Sequence, residues 1–197
     1  MKKISGWKWK GLILLAIIVV AARIVYVNIT YPKTKVAYYE IGEEVPYEEF
    51  QVCCNSVEIY KASDISDYLT NHNIEFEQEQ IAEVTEKEDA YIYLVDLDVK
   101  NTSDQVKEFN SRRASLCSGN SLNCFYNLYV TGIMNEGEFR KEIEPSQSVR
   151  MTVAYNIIRN DLVSKNQFEK LVHGKCSISF LTFYQMNEIV IKHPEIK

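Results

Sequence analysis

An unbroken apolar run near the N-terminus constrains this chain more than any other feature. Residues 12–22 are all apolar and are followed by Arg23. The run is as short as the core of a secretory signal peptide, and Val20 and Ala22 have the spacing of a cleavage site. Counted over 11–29, however, the segment approaches the roughly 20 residues that cross a bilayer. Both interpretations send the rest of the chain across a membrane.

The residues around the run favour an uncleaved anchor. Trp9 and Tyr26 would lie at the two interfaces, where aromatic residues are enriched, and Arg23 can extend its guanidinium to the headgroups. Lysines precede the run at positions 2, 3, 8 and 10, and positive charge stays on the cytoplasmic side. We therefore predict a single-pass protein of the cell membrane, with a cleaved signal peptide as the alternative. Its predicted parts are a cytoplasmic N-terminus at 1–10, a transmembrane signal-anchor at 11–29 and an extracytoplasmic domain at 30–197.

Charge is distributed unevenly along the chain. Five of the 22 basic residues lie at or before Arg23, whereas all 27 acidic residues follow it, which leaves 17 basic against 27 acidic residues and a net charge of −10. Such a domain is poorly suited to nucleic acid, which binds to basic patches. We therefore expect no nucleic-acid partner, and we expect the acidic charge to keep an exported domain soluble.

Alternation of apolar and polar residues dominates the remaining chain. In 90–100 the apolar residues fall on one face while Asp96 and Asp98 fall on the other, which is the pattern of a half-buried strand. Residues 148–157 repeat this pattern. Runs rich in Val, Ile, Tyr and Phe predict further strands at 50–60, 114–117, 125–131, 175–184 and 188–192. Many short strands bounded by turns predict an antiparallel β-sandwich.

One or two short helices should interrupt the strands. Ser63 can cap a turn that runs to Leu69, and Ser164 and Gln167 have the capping-box spacing. Residues 75–89 are strongly acidic and fit either a charged loop or a ragged helix. We interpret them as a solvated connection.

Two strand-and-turn motifs resemble a known family. They are Val-Asp-Leu-Asp-Val-Lys-Asn-Thr-Ser-Asp at 95–104 and Ile-Glu-Pro-Ser-Gln-Ser at 143–148. Together they resemble the layout of immunoglobulin-like domains of unknown function in secreted and membrane-anchored proteins of Gram-positive bacteria. Ser146 stands where that family usually has glycine. The resemblance covers roughly residues 30–195, and it implies an immunoglobulin-like antiparallel sandwich, an extracytoplasmic location and no established catalytic residues.

Five cysteines offer the first candidates for chemistry. Cys117 and Cys124 flank a predicted hairpin tip, and outside the cytoplasm a disulfide between them would restrain it. Cys54 and Cys176 fall on apolar faces of predicted strands, as buried free cysteines do. The alternative to buried structural thiols is a thiol redox site. The chain has no C-x-x-C motif, however, and no histidine or arginine next to a cysteine that would favour a thiolate. The pair Cys117 and Cys124 is therefore our candidate disulfide.

No spacing predicts a metal, a cofactor or a catalytic centre. The three histidines lie far apart and outside any zinc-ligand pattern. Asp96 and Asp98 share the outer face of a strand, but paired carboxylates are ordinary on a sheet surface. The chain also lacks a G-x-S-x-G elbow and a phosphate-cradling glycine loop. We therefore expect that the protein is not an enzyme. A Ser/His/acid site whose members come together only in the folded structure is the alternative that the sequence leaves open.

Tyrosines are the candidate recognition residues. The chain contains 13 of them, and tyrosine is favoured at recognition surfaces because it combines a large area with a polar tip. The alternative is that tyrosines fill the core and its rim. The candidates are Tyr38, Tyr39, Tyr47, Tyr126 and Tyr129.

Topology and the lack of a catalytic signature lead to one expectation. We expect a non-catalytic binding or interaction module that is held in the membrane by its N-terminal helix and that binds an envelope protein or a glycan. Two alternatives stay open. One is an accessory subunit of another membrane protein complex, with the anchor helix as an interface, and the other is an envelope enzyme, either a hydrolase or a thiol oxidoreductase.

Overall fold

The computed structural model describes residues 6–30, 35–87, 89–119, 122–181, 185–192 and 194–197. Side chains are described at all of these positions except 6–8, 28, 84, 122, 123, 181 and 185. The chain forms two compact units, Met1–Lys35 and Val36–Lys197.

The first unit contains the helix α1 (Gly6–Thr30). Its apolar stretch Trp9–Val27 has a mean hydropathy of 2.3, and none of it is buried. The Arg23 guanidinium lies 5.5 Å from the centre of the Tyr26 ring. A helix of this length and composition fits a membrane span and fits a secretion signal.

The second unit is built mainly from β-strands in two sheets. The first sheet has the spatial order β1 (Lys35–Glu40), β12 (Gln185–Ile191), β11 (Cys176–Leu181), β6 (Ala114–Ser118) and β7 (Leu122–Asn123). The second has the order β13 (Glu195–Ile196), β3 (Phe50–Lys61), β4 (Ala90–Asn101), β10 (Ser148–Ile158) and β8 (Phe125–Tyr126), with β2 (Glu44–Tyr47) also paired to β3. A separate ribbon pairs β5 (Lys107–Asn110) with β9 (Arg140–Ile143).

Four short helices lie among the described residues of this unit, where we expected one or two. They are α2 (Ile65–Asn71), α3 (Gln78–Thr85), α4 (Leu128–Met134) and α5 (Lys165–Val172). Single 3-10 turns precede α2 and β6, at Ala62–Asp64 and Ser111–Arg113.

The two sheets pack face to face around a shared apolar core. Tyr93 of β4 and Val153 of β10 meet Leu116 of β6 and Ile178 of β11 in this core, and all four are 0% to 1% exposed. Burial of each large apolar side chain contributes about 1.5–3 kcal/mol. The prediction of a mainly β, sandwich-like domain is confirmed. Its immunoglobulin-like topology stays a prediction.

A second, smaller core lies on the outer face of the second sheet. Leu69 of α2, Ile81 of α3 and Val130 of α4 are fully buried there against Ile92 and Ala154 of the sheet. Most of β4 is therefore buried on both faces, whereas its alternation predicted a strand with one solvated face.

Two local predictions are wrong because of this second core. Residues 75–89 are not simply a solvated connection, since α3 forms within them and buries Ile81. Residues 125–131 are not one strand. The strand β8 ends at Tyr126, and Asn127 caps α4 by accepting a hydrogen bond of 2.9 Å from the Val130 amide. Packing against the sheet selects these helices, and packing overrides local propensity.

Helix α4 also covers the edge of β10. Thr131 Oγ1 accepts a hydrogen bond of 2.9 Å from the Ala154 amide. The Asn135 carboxamide accepts from the Thr152 amide at 3.1 Å and donates to the Thr152 carbonyl at 2.7 Å. Polar side chains thus form hydrogen bonds with backbone groups of β10 that would otherwise be unpaired at the edge of the sheet.

Asn101 joins the two motifs on which the family resemblance rests. Its Nδ2 donates to the Ile143 and Gln105 carbonyls at 2.7 Å each, and its Oδ1 accepts from the Ser103 amide at 2.9 Å. Ser146, in place of the usual glycine, has φ +63°, in the left-handed region that favours glycine. Its amide donates to the Asn101 carbonyl at 3.0 Å. Ser146 therefore adopts the backbone conformation expected of the glycine that the family usually has at this position.

Candidate recognition surface around helix α4

The five candidate tyrosines differ widely in exposure. Tyr38 on β1 and Tyr129 on α4 are 68% and 52% exposed. Tyr39 and Tyr126 are half-buried. Tyr47 is buried, so only the other four can contribute area to a surface.

The assignment of Tyr47 to a recognition surface is wrong. Alternation along β2 turns Val45 and Tyr47 inward. The Tyr47 ring lies 5.4 Å from the Phe180 ring and 6.4 Å from the Phe109 ring, centre to centre. Burial, the largest cause, raises the pKa of its phenol.

The structure brings Tyr126 and Tyr129 together on one side of the domain. Both line a groove of about 210 Å³, together with Leu128 and Ile158. Leu128 is 36% exposed and Ile158 is 41% exposed, and Phe125 at the start of β8 is 69% exposed. These five side chains form an exposed apolar patch, which we call the α4 surface.

A second groove lies on the other side of Tyr129. It has a volume of about 390 Å³, and Ile133 and Phe139 contribute to its lining. A Cβ added at Gly132 would lie 3.1 Å from two atoms of the Phe139 ring, so glycine allows this ring to lie against the helix. Arg112 lies over the same ring at 5.1 Å. Tyr129 and Leu128 line both grooves, so they form the ridge between them.

Tyr126 and Tyr129 differ in how firmly they are held. The Tyr126 hydroxyl is 2.8 Å from Ser111 Oγ, and its ring meets Tyr155 edge-on at 5.9 Å. Tyr129 projects from a helix whose N-terminus is capped by Asn127. A fixed aromatic side chain beside an exposed one offers contact area at a small entropic cost.

The rims of the two grooves are mainly acidic. Glu75 and Glu136 line the larger groove, and Glu83 lines the smaller one with Lys87. An apolar surface with an acidic rim is complementary to a partner that combines apolar and basic side chains.

The candidate disulfide between Cys117 and Cys124 is not formed in the structure. Cys124 is a free thiol, 9% exposed, and its amide donates to the Leu116 carbonyl at 2.8 Å. Leu116 points into the core, and alternation along β6 turns Cys117 toward the outer face. The two sulfur atoms therefore belong to opposite faces of the sheet.

Three thiols are buried in apolar surroundings. Burial raises the pKa of Cys54, Cys124 and Cys176 to about 12 in each case. The pKa of Cys53 is also raised, first by burial and then by the neighbouring carboxylates. Raised values disfavour the thiolate that thiol chemistry requires.

Asp96 and Asp98, the carboxylates considered for a hard cation, are held by protein donors. Arg150 donates to both Asp96 oxygens at 2.8 and 2.6 Å, and Asn55 Nδ2 donates to Asp98 at 3.0 Å. Within the described part of the chain, no group of three or more His, Cys, Asp or Glu side chains could hold a metal ion.

Sequence reasoning missed most of the α4 surface. Phe125 and Leu128 fall within the predicted strand 125–131, where the pattern gives no reason for exposure, and Ile158 lies one residue beyond the predicted strand 148–157. Asn127 was the available signal, because an asparagine before a run of apolar residues is a helix N-cap.

These observations define the class of the protein as a mainly β, sandwich-like domain with several short helices and an N-terminal apolar helix. The chain belongs to the DUF5028 family, described as a domain of unknown function, whose model matches residues 36–180. No curated protein matches the chain.

Three of the solved structures that resemble this chain come from Gram-positive bacteria. An uncharacterized β-sandwich protein from Clostridium difficile 630 is 10% identical, with 81% of this chain and 97% of that chain covered and a TM-score of 0.46. A functionally unknown protein from Listeria monocytogenes EGD-e is 12% identical, with 78% and 82% covered and a TM-score of 0.47. A conserved hypothetical protein from Bacillus anthracis is 14% identical, with 79% and 93% covered and a TM-score of 0.42. Likeness at this level carries no information on function.

Proposed function

We propose that this chain is a membrane-anchored binding module whose extracytoplasmic domain recognises an envelope protein through the α4 surface, without catalysing a reaction. The observation that carries the proposal is the ridge of Tyr129 and Leu128 between two grooves. The lysines at positions 2, 3, 8 and 10 precede the apolar run of α1, and together with that run they support a single pass with the N-terminus in the cytoplasm.

A protein partner is favoured over a glycan by the chemistry of the surface. Phe125, Leu128 and Ile158 present aliphatic and aromatic area beside Tyr129, and contiguous exposed apolar area is typical of protein interfaces. The acidic rim adds selectivity for a partner with basic groups.

A capture experiment tests the proposal. Residues 31–197 are immobilised, incubated with solubilised envelope membranes, and compared with Tyr129→Ala and with Tyr38→Ala as the matched control. Tyr38 is at least as exposed as Tyr129 but lies on β1, in the other sheet. We expect Tyr129→Ala to lose a protein that Tyr38→Ala retains. Capture that is equal in both variants, or of glycan alone, contradicts the proposal.

The accessory-subunit alternative is favoured by one observation, the apolar surface that surrounds α1 on all sides. It predicts that only the full-length chain retains the partner, and that exchange of residues 12–29 for an unrelated span abolishes binding. The binding module proposed here tolerates that exchange.

The enzyme alternative has less support. The raised pKa values of the buried thiols oppose a thiol oxidoreductase. Thiol blocking and serine-to-alanine scanning test this alternative, because an envelope enzyme should lose its activity in one of them.

A further inference from the structure

A polar pocket at the end of the second sheet lies apart from the α4 surface. It has a volume of about 310 Å³ and is located where β3 ends and β4 begins, in the register Lys61 opposite Tyr91. Side chains of α5 and the residues around β13 complete its lining. We call it the α5 pocket.

Three side chains form a hydrogen-bonded cluster within it. The Tyr91 hydroxyl donates to the two oxygens of Glu169 at 2.9 and 2.8 Å. His173 Nε2 lies 3.0 Å from Glu169 Oε2, one turn further along α5. Both carboxylate oxygens of Glu169 therefore have hydrogen-bonding partners within the protein, namely Tyr91 and His173.

The second carboxylate of the pocket is also engaged. Asp89 Oδ2 accepts a hydrogen bond of 2.7 Å from Arg159 Nε. Lys165 Nζ is 3.7 Å from Asp89 Oδ1, which is a long contact for an ion pair. Asp89 is thus neutralised mainly by Arg159, and Lys165, whose side chain is 71% exposed, keeps hydrogen-bonding capacity.

Three lysines line the pocket against these two carboxylates. They are Lys61, Lys165 and Lys197. Lys197 pairs with Glu195 at 2.8 Å and lies 3.6 Å from Glu58. Lys61 has no ion pair within the part of the chain that the structure describes. The lining contains three lysines and two carboxylates. Lys197 is paired with Glu195, and Asp89 is paired with Arg159, which leaves the charges of Lys61 and Lys165 beside Glu169.

We propose that the α5 pocket binds a phosphate group, with Lys61 and Lys165 as its principal ligands. Lysine ammonium groups bind phosphate as point charges, and these two are the lining lysines without a close ion pair. Lys197 is the third available cation. The phosphate could be carried by a soluble ester or by a lipid headgroup, and the chemistry of recognition is the same in both.

Titration of the full chain in a non-ionic maltoside detergent tests the proposal. The probes are inorganic phosphate and dihexanoyl-phosphatidylglycerol, each followed through amide chemical shifts at low ionic strength. Lys61→Ala and Lys165→Ala are compared with Lys192→Ala, a lysine paired with Glu40 beside the other sheet. All three lysines are at the surface, so the fold should tolerate their removal.

We expect saturable shifts around the pocket that weaken roughly tenfold in Lys61→Ala or Lys165→Ala, equivalent to about 1.4 kcal/mol, and that persist in Lys192→Ala. Saturation by inorganic phosphate indicates a soluble ligand. Saturation only by the phospholipid indicates a headgroup. The proposal is overturned if neither probe saturates the pocket, or if Lys192→Ala weakens binding as much as the pocket variants do.

Discussion

The Asn135 carboxamide and the backbone of Thr152 are joined by two hydrogen bonds in the manner of neighbouring strands. The Thr152 amide donates to Asn135 Oδ1 at 3.1 Å, and Asn135 Nδ2 donates to the Thr152 carbonyl at 2.7 Å. A carboxamide offers a donor and an acceptor like a peptide group. The side chain of the residue that caps the C-terminus of α4 therefore continues the hydrogen bonding of the second sheet beyond its strands.

Replacement of this carboxamide should destabilise the domain. Asn135→Ala leaves the backbone groups of Thr152 without their partner, and we expect a free energy of unfolding lower by about 1–3 kcal/mol. Urea unfolding followed by circular dichroism measures the change. Asn71→Ala, at an exposed position of α2, is the control and should change little. Equal stabilities of the two variants would show that α4 does not depend on this contact.

Glycine substitution at Ser146 should stabilise the domain. Ser146 has φ +63°, which a residue with a Cβ adopts at a cost, so Ser146→Gly should raise the free energy of unfolding by about 0.5–1 kcal/mol. Gly42 has φ +86° with open space around it, so Gly42→Ala should lower stability by a similar amount. Thermal unfolding of both variants measures this pair of opposite shifts, and a shift of the same sign in both would contradict the interpretation.

Thiol accessibility should distinguish free cysteines from a disulfide. Cys54, Cys124 and Cys176 are buried with pKa values raised to about 12, so iodoacetamide at pH 8 should leave these three unmodified in the folded protein. In urea without reductant, all five cysteines should be alkylated, as measured by mass spectrometry. A denatured protein that takes up only three equivalents would instead establish one disulfide.

Acid should weaken the contact between Asp89 and Arg159. The hydrogen bond from Arg159 holds the pKa of Asp89 below its usual value. The stabilisation is therefore complete above the unfolded-state pKa, near 3.9, and is lost as the pH falls through the lower folded-state value. Asp89→Asn should be less stable than the parent at pH 7, and this difference should shrink at pH 3. Urea titrations at both pH values measure this difference in the free energy of unfolding. A difference that does not depend on pH would show that the charge of Asp89 is not its cause.

Strand positions were the most predictable part of the fold. Alternation located β4 and β10, and runs of β-forming residues located β3 and β6, each to within a residue or two at either end. The capping box was equally reliable, since Ser164 Oγ accepts from the Gln167 amide at 3.4 Å and donates to Gln167 Oε1 at 3.0 Å. These signals are local, because each depends only on residues within one strand or one helical turn.

The candidate site was less predictable because its residues depend on long-range packing. Leu128, Tyr129 and Val130 read as part of a strand, yet they form a helix because Val130 is buried against the outer face of the sheet. Tyr47 and Tyr129 have the same side chain, and only the position of each element decides that one is 2% and the other 52% exposed. Sequence pattern identified the residue type, whereas the second core determined which tyrosines reach solvent.

The arrangement of Thr131, Asn135 and β10 gives helix α4 a protective role. If the helix were displaced, the Thr152 and Ala154 backbone groups that it covers would become a template for strand addition from another molecule. A partner that binds Tyr129 must therefore bind without pulling the helix away, or it would expose a sheet edge that can seed aggregation.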